Sequence, residues 1–107
     1  MIDRTRLAEL SEEVGADDLC EVVDLFCEEV EETLSRVARH GTATLAEDLH
    51  FLKGSALNIG MSEVAELCRR AETAVRADPD AAPDFAKIAQ AFKVARHALN
   101  LEIGLQS

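Results

Sequence analysis

The sequence predicts an all-α fold, an antiparallel four-helix bundle with a short additional helix at its N-terminus. Three observations carry this expectation. Apolar residues recur at three- and four-residue spacings along almost the whole chain, which is the period of helices with one buried face. Strict alternation with β-branched or aromatic support, the mark of a strand, is sustained nowhere. The 107 residues are 48% hydrophobic and contain only five Gly and two Pro. That is enough apolar surface for one core and too little chain for two, so residues 1–107 read as a single domain.

Taken in order, the first helix runs from about Asp3 to Val14 with Leu7, Leu10 and Val14 on one stripe, and Gly15 stands where a C-cap glycine stops it. The second runs from an Asp17 cap to about Arg39. It turns Leu19, Val23, Phe26, Val30, Leu34 and Val37 inward and Glu28, Glu29, Glu31 and Glu32 mostly to solvent. His40 and Gly41 break it. Thr44 followed by Glu47 is the spacing of a capping box, which opens a third helix reaching about Ile59. Gly60 ends that helix, and Ser62 caps a fourth containing Val64, Leu67, Ala71 and Val75. Asp78, Pro79 and Asp80 break the fourth, and a fifth with Phe85, Ile88, Phe92, Ala95, Leu99 and Ile103 inward runs to the C-terminus. Helices of this length joined by short loops pack most economically as a bundle, with the first helix as a lid over one end.

Eleven Lys and Arg against twenty-one Asp and Glu leave a net charge of −10. Such a field repels nucleic-acid phosphates and anionic lipid, so neither is expected as a partner. No apolar run approaches the roughly 20 residues that cross a bilayer, and Met1 to Leu10 lack the apolar core of a secretory signal. The cytoplasm is the expected compartment. The start at Met1 and the end at Gln106 and Ser107 favour a standalone protein, expected to be a monomer. Cys20, Cys27 and Cys68 are odd in number and lack a CxxC spacing, so they read as packing residues rather than as a disulfide framework or a zinc site.

The third helix carries the chemistry. At about 100° per residue, Leu45, Leu49, Leu52, Ala56 and Ile59 define its core face, and His50 lies about 140° away, in solvent. Ala46, Lys53, Gly54 and Leu57 share the side of His50, so the imidazole stands on a surface of small or apolar residues plus one ammonium group. That is a docking surface with a reactive group in it. Gly54 costs a helix roughly 1 kcal/mol relative to alanine. A missing side chain one turn from the histidine leaves room for another molecule to reach the ring.

The run His50, Phe51, Leu52, Lys53, Gly54, Ser55 and Ala56, then Gly60, Leu67, Cys68 and Glu72, resembles the signature of histidine-containing phosphotransfer (HPt) domains. Length and helix pattern fit across nearly all of the chain. The resemblance implies a four-helix-bundle phosphocarrier of two-component phosphorelays. In that reading His50 takes a phosphoryl group from the aspartate of a response-regulator receiver domain, including that of a hybrid histidine kinase, and passes it to another receiver. It also implies that the chain has no cofactor of its own and that the receiver brings the acceptor aspartate, a magnesium ion and a lysine. Lys53 would offset the charge of the phosphohistidine, and Ser55 or Lys53 would donate hydrogen bonds to its oxygens. Glu47, three residues before His50, either orients the imidazole or is merely solvated.

Rival readings fare worse. Glu47 and His50 form one Glu-x-x-His pair, but a carboxylate-bridged metal site in a bundle needs two, and Val37 and Val94 stand three residues before His40 and His97. Phe51 replaces the acidic residue that follows the histidine of histidine kinases. A helical adapter that binds receivers or kinases without carrying phosphate is the remaining alternative. Arg36, Arg69 and Arg70 either edge the docking face or are solvating charges.

Overall fold

The computed structural model describes residues 2–40 and 44–106, without the side chains of His40, Leu105 and Gln106. Five helices account for nearly all of it: α1 (Arg4–Val14), α2 (Leu19–His40), α3 (Leu45–Asn58), α4 (Ser62–Ala77) and α5 (Phe85–Gln106). Helix α2 packs on α3, α3 on α4, α4 on α5 and α5 back on α2, which closes a ring, while α1 lies against α2 and α3. The expected all-helical architecture is therefore observed. The core of this ring is mostly aliphatic, with Val23, Val30, Leu49, Leu52, Val64, Ile88 and Leu99 among its buried residues beside the aromatic Phe92.

The helix ends show why the chain turns where it does. Asp3 caps α1 by accepting the Arg6 amide on Oδ1 at 3.1 Å, and Gly15 closes it at a φ of +89°. Helix α2 starts at Leu19, so the cap position falls to Asp18, one residue beyond the expected Asp17, and the Asp18 carbonyl accepts the Val22 amide at 3.0 Å. Gly41 and the side chain of His40, expected to break α2, lie outside the described residues. Asp84 caps α5 by accepting the Lys87 amide at 3.0 Å.

Three expectations need correction. Thr44 and Glu47 form no capping box: Thr44 makes no side-chain cap bond and instead donates its hydroxyl to Asp48 Oδ2 at 3.0 Å. The ionised Asp48, held by Arg36 at 2.7 and 3.3 Å, is a stronger acceptor than a neutral group, and the pair ties α2 to α3. Ser62 is the first residue of α4, and the cap position belongs to Met61. Cys20 is exposed, unlike Cys27 and Cys68. It faces a groove between the start of α2 and the end of α5, lined also by Asp24, Asn100 and Gly104. Burial pushes the Cys27 thiol up to about 11 and the Cys68 thiol up to about 12, so both remain protonated packing groups.

The turn after α3 is short and fully hydrogen-bonded. The Met61 amide bonds to the Ala56 carbonyl at 2.8 Å and the Gly60 amide to the Leu57 carbonyl at 3.3 Å, the two bonds of a Schellman cap, with Gly60 at a φ of +77°. The N-terminal segment seals this turn. The Asp3 amide donates to the Gly60 carbonyl at 2.8 Å, Arg6 Nε reaches the Asn58 carbonyl at 3.1 Å, and Ile2 bridges to Met61.

A Cβ on Gly60 would lie 2.8 Å from the Asp3 carbonyl oxygen. Gly60→Ala therefore loses about 1–3 kcal/mol from backbone strain alone, more with the clash, and a thermal melt shows the drop. The hydrogen bonds from Arg36 hold the Asp48 carboxyl below the usual carboxylate range, aided by Thr44 and opposed by burial. A depressed folded pKa stabilises fully above the unfolded value and loses that stabilisation as pH falls through the folded one. Asp48→Asn is thus expected to cost about 1–3 kcal/mol at neutral pH, and the gap to wild type narrows in denaturant titrations carried into acid.

Candidate functional site

Helix α3 presents its aliphatic face to the core and its opposite side to solvent, and the structure keeps His50 on that outer side with 65% of its side chain exposed. The short turn at Gly60 folds α4 back antiparallel along α3, which brings Glu72, 22 residues further on, beside the imidazole. Glu72 Oε2 lies 3.2 Å and Oε1 3.4 Å from His50 Nδ1. Lys53 Nζ sits 3.1 Å from Oε1, and Arg76 places Nε and Nη2 each 3.0 Å from Oε2. One carboxylate thus gathers three nitrogen-bearing side chains from two helices.

Glu72 itself belongs to the buried stripe of α4, with only 10% of its side chain exposed. Burial pushes its carboxyl up, but the hydrogen bonds from Lys53 and Arg76, joined by the Lys53 charge and by His50, outweigh it and hold Glu72 below the usual glutamate range. An ionised carboxylate only accepts hydrogen bonds. His50 Nδ1 must therefore carry the proton in this contact, which leaves the lone pair of the neutral ring on Nε2.

The other expected site residues divide. Gly54 is as open as anticipated, with nothing within 4 Å of the position its Cβ would take. Leu57 is 54% exposed, Phe51 beside the histidine is also exposed, and Ala46 is half-buried, so a small apolar flank surrounds the ring. Ser55 is not on the open face beside His50: it is only 4% exposed and turned toward the bundle. Glu47 is exposed, and the carboxylate on the imidazole is that of Glu72 instead, which α4 delivers across the seam. Arg69 and Arg70 are both held by Glu66, whose carboxyl the Arg69 and then the Arg70 hydrogen bonds bring down to about 2, and Arg36 is held by Asp48. His97 is an exposed residue of α5.

Sequence reasoning missed the convergence of Glu72 and Arg76 on His50. Counting apolar residues marked Val64, Leu67, Ala71 and Val75 on α4; Val64 is buried and the other three pack half-buried against the core, while Ala65, Cys68 and Glu72 complete the buried stripe. A buried carboxylate does not register in an apolar count. The available signal was the i,i+4 pairing of Glu72 with Arg76. Charge distribution was a second one. Twelve of the 21 acidic residues and only two of the eleven basic ones fall within residues 1–32, so the net charge of −10 is confined to that segment and residues 33–107 are balanced. The hairpin of α3 and α4 itself carries five acidic and four basic residues, so it contributes little to the net negative charge.

Among the described residues, no group of three or more His, Cys, Asp or Glu side chains is placed to hold a metal ion, and no helix is long and apolar enough to cross a membrane. Comparison with curated proteins and with solved structures returns no significant match. The sequence does match the Hpt domain family, over residues 21–103, which takes in almost all of α2 to α5. The all-helical architecture is consistent with that match, and the chain belongs to the Hpt domain family, the phosphocarriers of two-component phosphorelays.

Proposed function

We propose that His50 is the phosphoryl acceptor of this domain and that it exchanges phosphate with the aspartates of receiver domains. The observation that carries the reading is an imidazole 65% exposed on an open helix face while its Nδ1 is occupied by a buried carboxylate, which leaves Nε2 as the nucleophile. In the loading step the Nε2 lone pair attacks the phosphorus of an aspartyl phosphate. The N–P bond forms as the P–O bond to the aspartate breaks, and the aspartate carboxylate leaves with the bonding pair. The ring, still protonated at Nδ1, becomes a phosphoimidazolium whose positive charge lies against Glu72. Unloading to a second receiver runs the same bonds in reverse.

The domain contributes position and charge, which dominate phosphoryl transfer. Lys53, one turn from His50, places a cation beside the anionic product. Gly54 with Ala46, Phe51 and Leu57 forms the face on which a receiver lies, and the absent side chain at Gly54 lets the two surfaces close. The magnesium ion and the remaining charge compensation belong to the receiver, so this chain is substrate and product of the transfer.

His50→Gln is expected to abolish labelling by a phosphorylated receiver while leaving the helical circular dichroism unchanged, because the ring is outside the core. Persistent acid-labile, base-stable phosphate on that variant would sink the assignment, and receiver binding without any phosphate on wild type would favour the adapter reading.

Gly54 separates docking from chemistry. Gly54→Ala is expected to stabilise the fold by roughly 0.5–1 kcal/mol, since the helix improves and the space is empty. Gly54→Gln is expected to fold but to slow receiver-dependent labelling by about tenfold or more, as a displacement of about 1 Å can cost on the order of a hundredfold. Phosphoramidate, which needs no protein docking, still labels that variant. Receiver-dependent rates equal to wild type would remove Gly54 from the interface.

A further inference from the structure

Both oxygens of Glu72 are taken by cations, Lys53 on Oε1 at 3.1 Å and Arg76 on Oε2 through two nitrogens at 3.0 Å, and it is Oε2 that also faces His50 Nδ1 at 3.2 Å. We infer that Arg76 is a positioning residue for His50: it acts through Glu72 to hold the Nδ1–H tautomer that leaves Nε2 free. The inference rests on His50 as acceptor for its consequence but not for its test.

The reasoning turns on what a carboxyl group does when it is almost covered. With 10% of the side chain exposed, burial favours the neutral acid. A neutral Glu72 would let Nδ1 accept, and an ionised Glu72 turned away from the ring, as it can be once only Lys53 holds it, would leave both tautomers populated. Either way the proton spends time on Nε2, which closes the nucleophilic position. Cations reverse that preference. Lys53 is a point charge on a flexible stem, whereas the guanidinium of Arg76 is planar and brings Nε and Nη2 to a single oxygen, which fixes the plane of the carboxylate as well as its charge. Arg76 lies one turn beyond Glu72 on α4, with 57% of its side chain exposed, and its described partner is Glu72 rather than the imidazole. The groups facing Glu72 are His50 and Lys53 from α3 and Arg76 from α4, with the protonated thiol of Cys68 one turn away on α4.

The experiment reads the His50 tautomer in the unphosphorylated full chain by long-range nitrogen–proton NMR, at alkaline pH where imidazole is neutral. The exposed His97 serves as internal reference. Wild type is expected to show His50 with its proton on Nδ1. Arg76→Gln is expected to move His50 toward the mixture seen at His97 and to slow loading from a phosphorylated receiver by about tenfold to a hundredfold, the usual loss when a group orienting a histidine is removed. Arg76→Lys restores part of both. Arg69→Gln removes the same charge from the same helix without touching Glu72 and leaves the tautomer as in wild type. The inference is overturned if Arg76→Gln keeps the proton on Nδ1, if Arg76→Lys behaves as Arg76→Gln, or if Arg69→Gln shifts the tautomer equally. A shorter phosphohistidine lifetime with an unchanged tautomer would assign Arg76 to the phosphate itself. Wild-type chain that takes no phosphate would defeat the acceptor assignment while leaving the tautomer result standing.

Discussion

The carboxylate of Glu72, almost covered at the seam of α3 and α4, is the interaction on which the site depends. Burying a charge is unfavourable unless it is paired and hydrogen-bonded, and removing one partner of such a group costs more than the pair contributes. Glu72 meets that condition with partners from both helices: Lys53 and His50 reach it from α3 and Arg76 from its own helix. The same contacts do two things. They join the hairpin at its polar edge, and they set the Glu72 carboxylate against Nδ1 of His50.

The hairpin geometry is in turn set far from the histidine. Glu72 arrives opposite His50 because the chain reverses at Gly60, in a conformation that an L side chain rarely adopts and with the Asp3 backbone packed against the missing Cβ. The N-terminal segment occupies that turn through Asp3, Arg6 and Ile2. Helix α1, outside the part of the chain that matches the family, thus supports the register of the two helices that build the site. On the other flank, the pair of Arg36 and Asp48 fixes α3 against α2 two residues from the histidine.

Rigid support and open access are divided between two sides of one helix. The inner side of α3 holds Leu49, Leu52 and Ala56 with no exposure, so the backbone under His50 has little freedom. The outer side holds Gly54 with empty space over it and Phe51 and Leu57 largely uncovered. A group that must be approached by a second protein is best placed on an element that does not itself move. Twelve of the 21 acidic residues precede the hairpin in the chain, within residues 1–32.

Helix periodicity by itself determined the five helices, the buried face of α3 and the exposure of His50, because a helix repeating every 3.6 residues assigns each position a direction before any packing is known. Glycine chemistry likewise placed the stops at Gly15 and Gly60. Only the tertiary structure decided which polar groups meet. Ser55 and Glu47 are near His50 in sequence, yet one turns inward and the other to solvent, while Glu72 and Arg76 arrive from a different helix. Thr44 similarly chose Asp48 over a backbone amide because Arg36, from α2, had already fixed that carboxylate in place. Cys20 stays exposed beside a groove that α2 and α5 form together, which its own position on α2 does not reveal. Direction around one helix is a local property that the order of residues carries, whereas the pairing of charges across a seam depends on the register between helices, which the turn and the core set together.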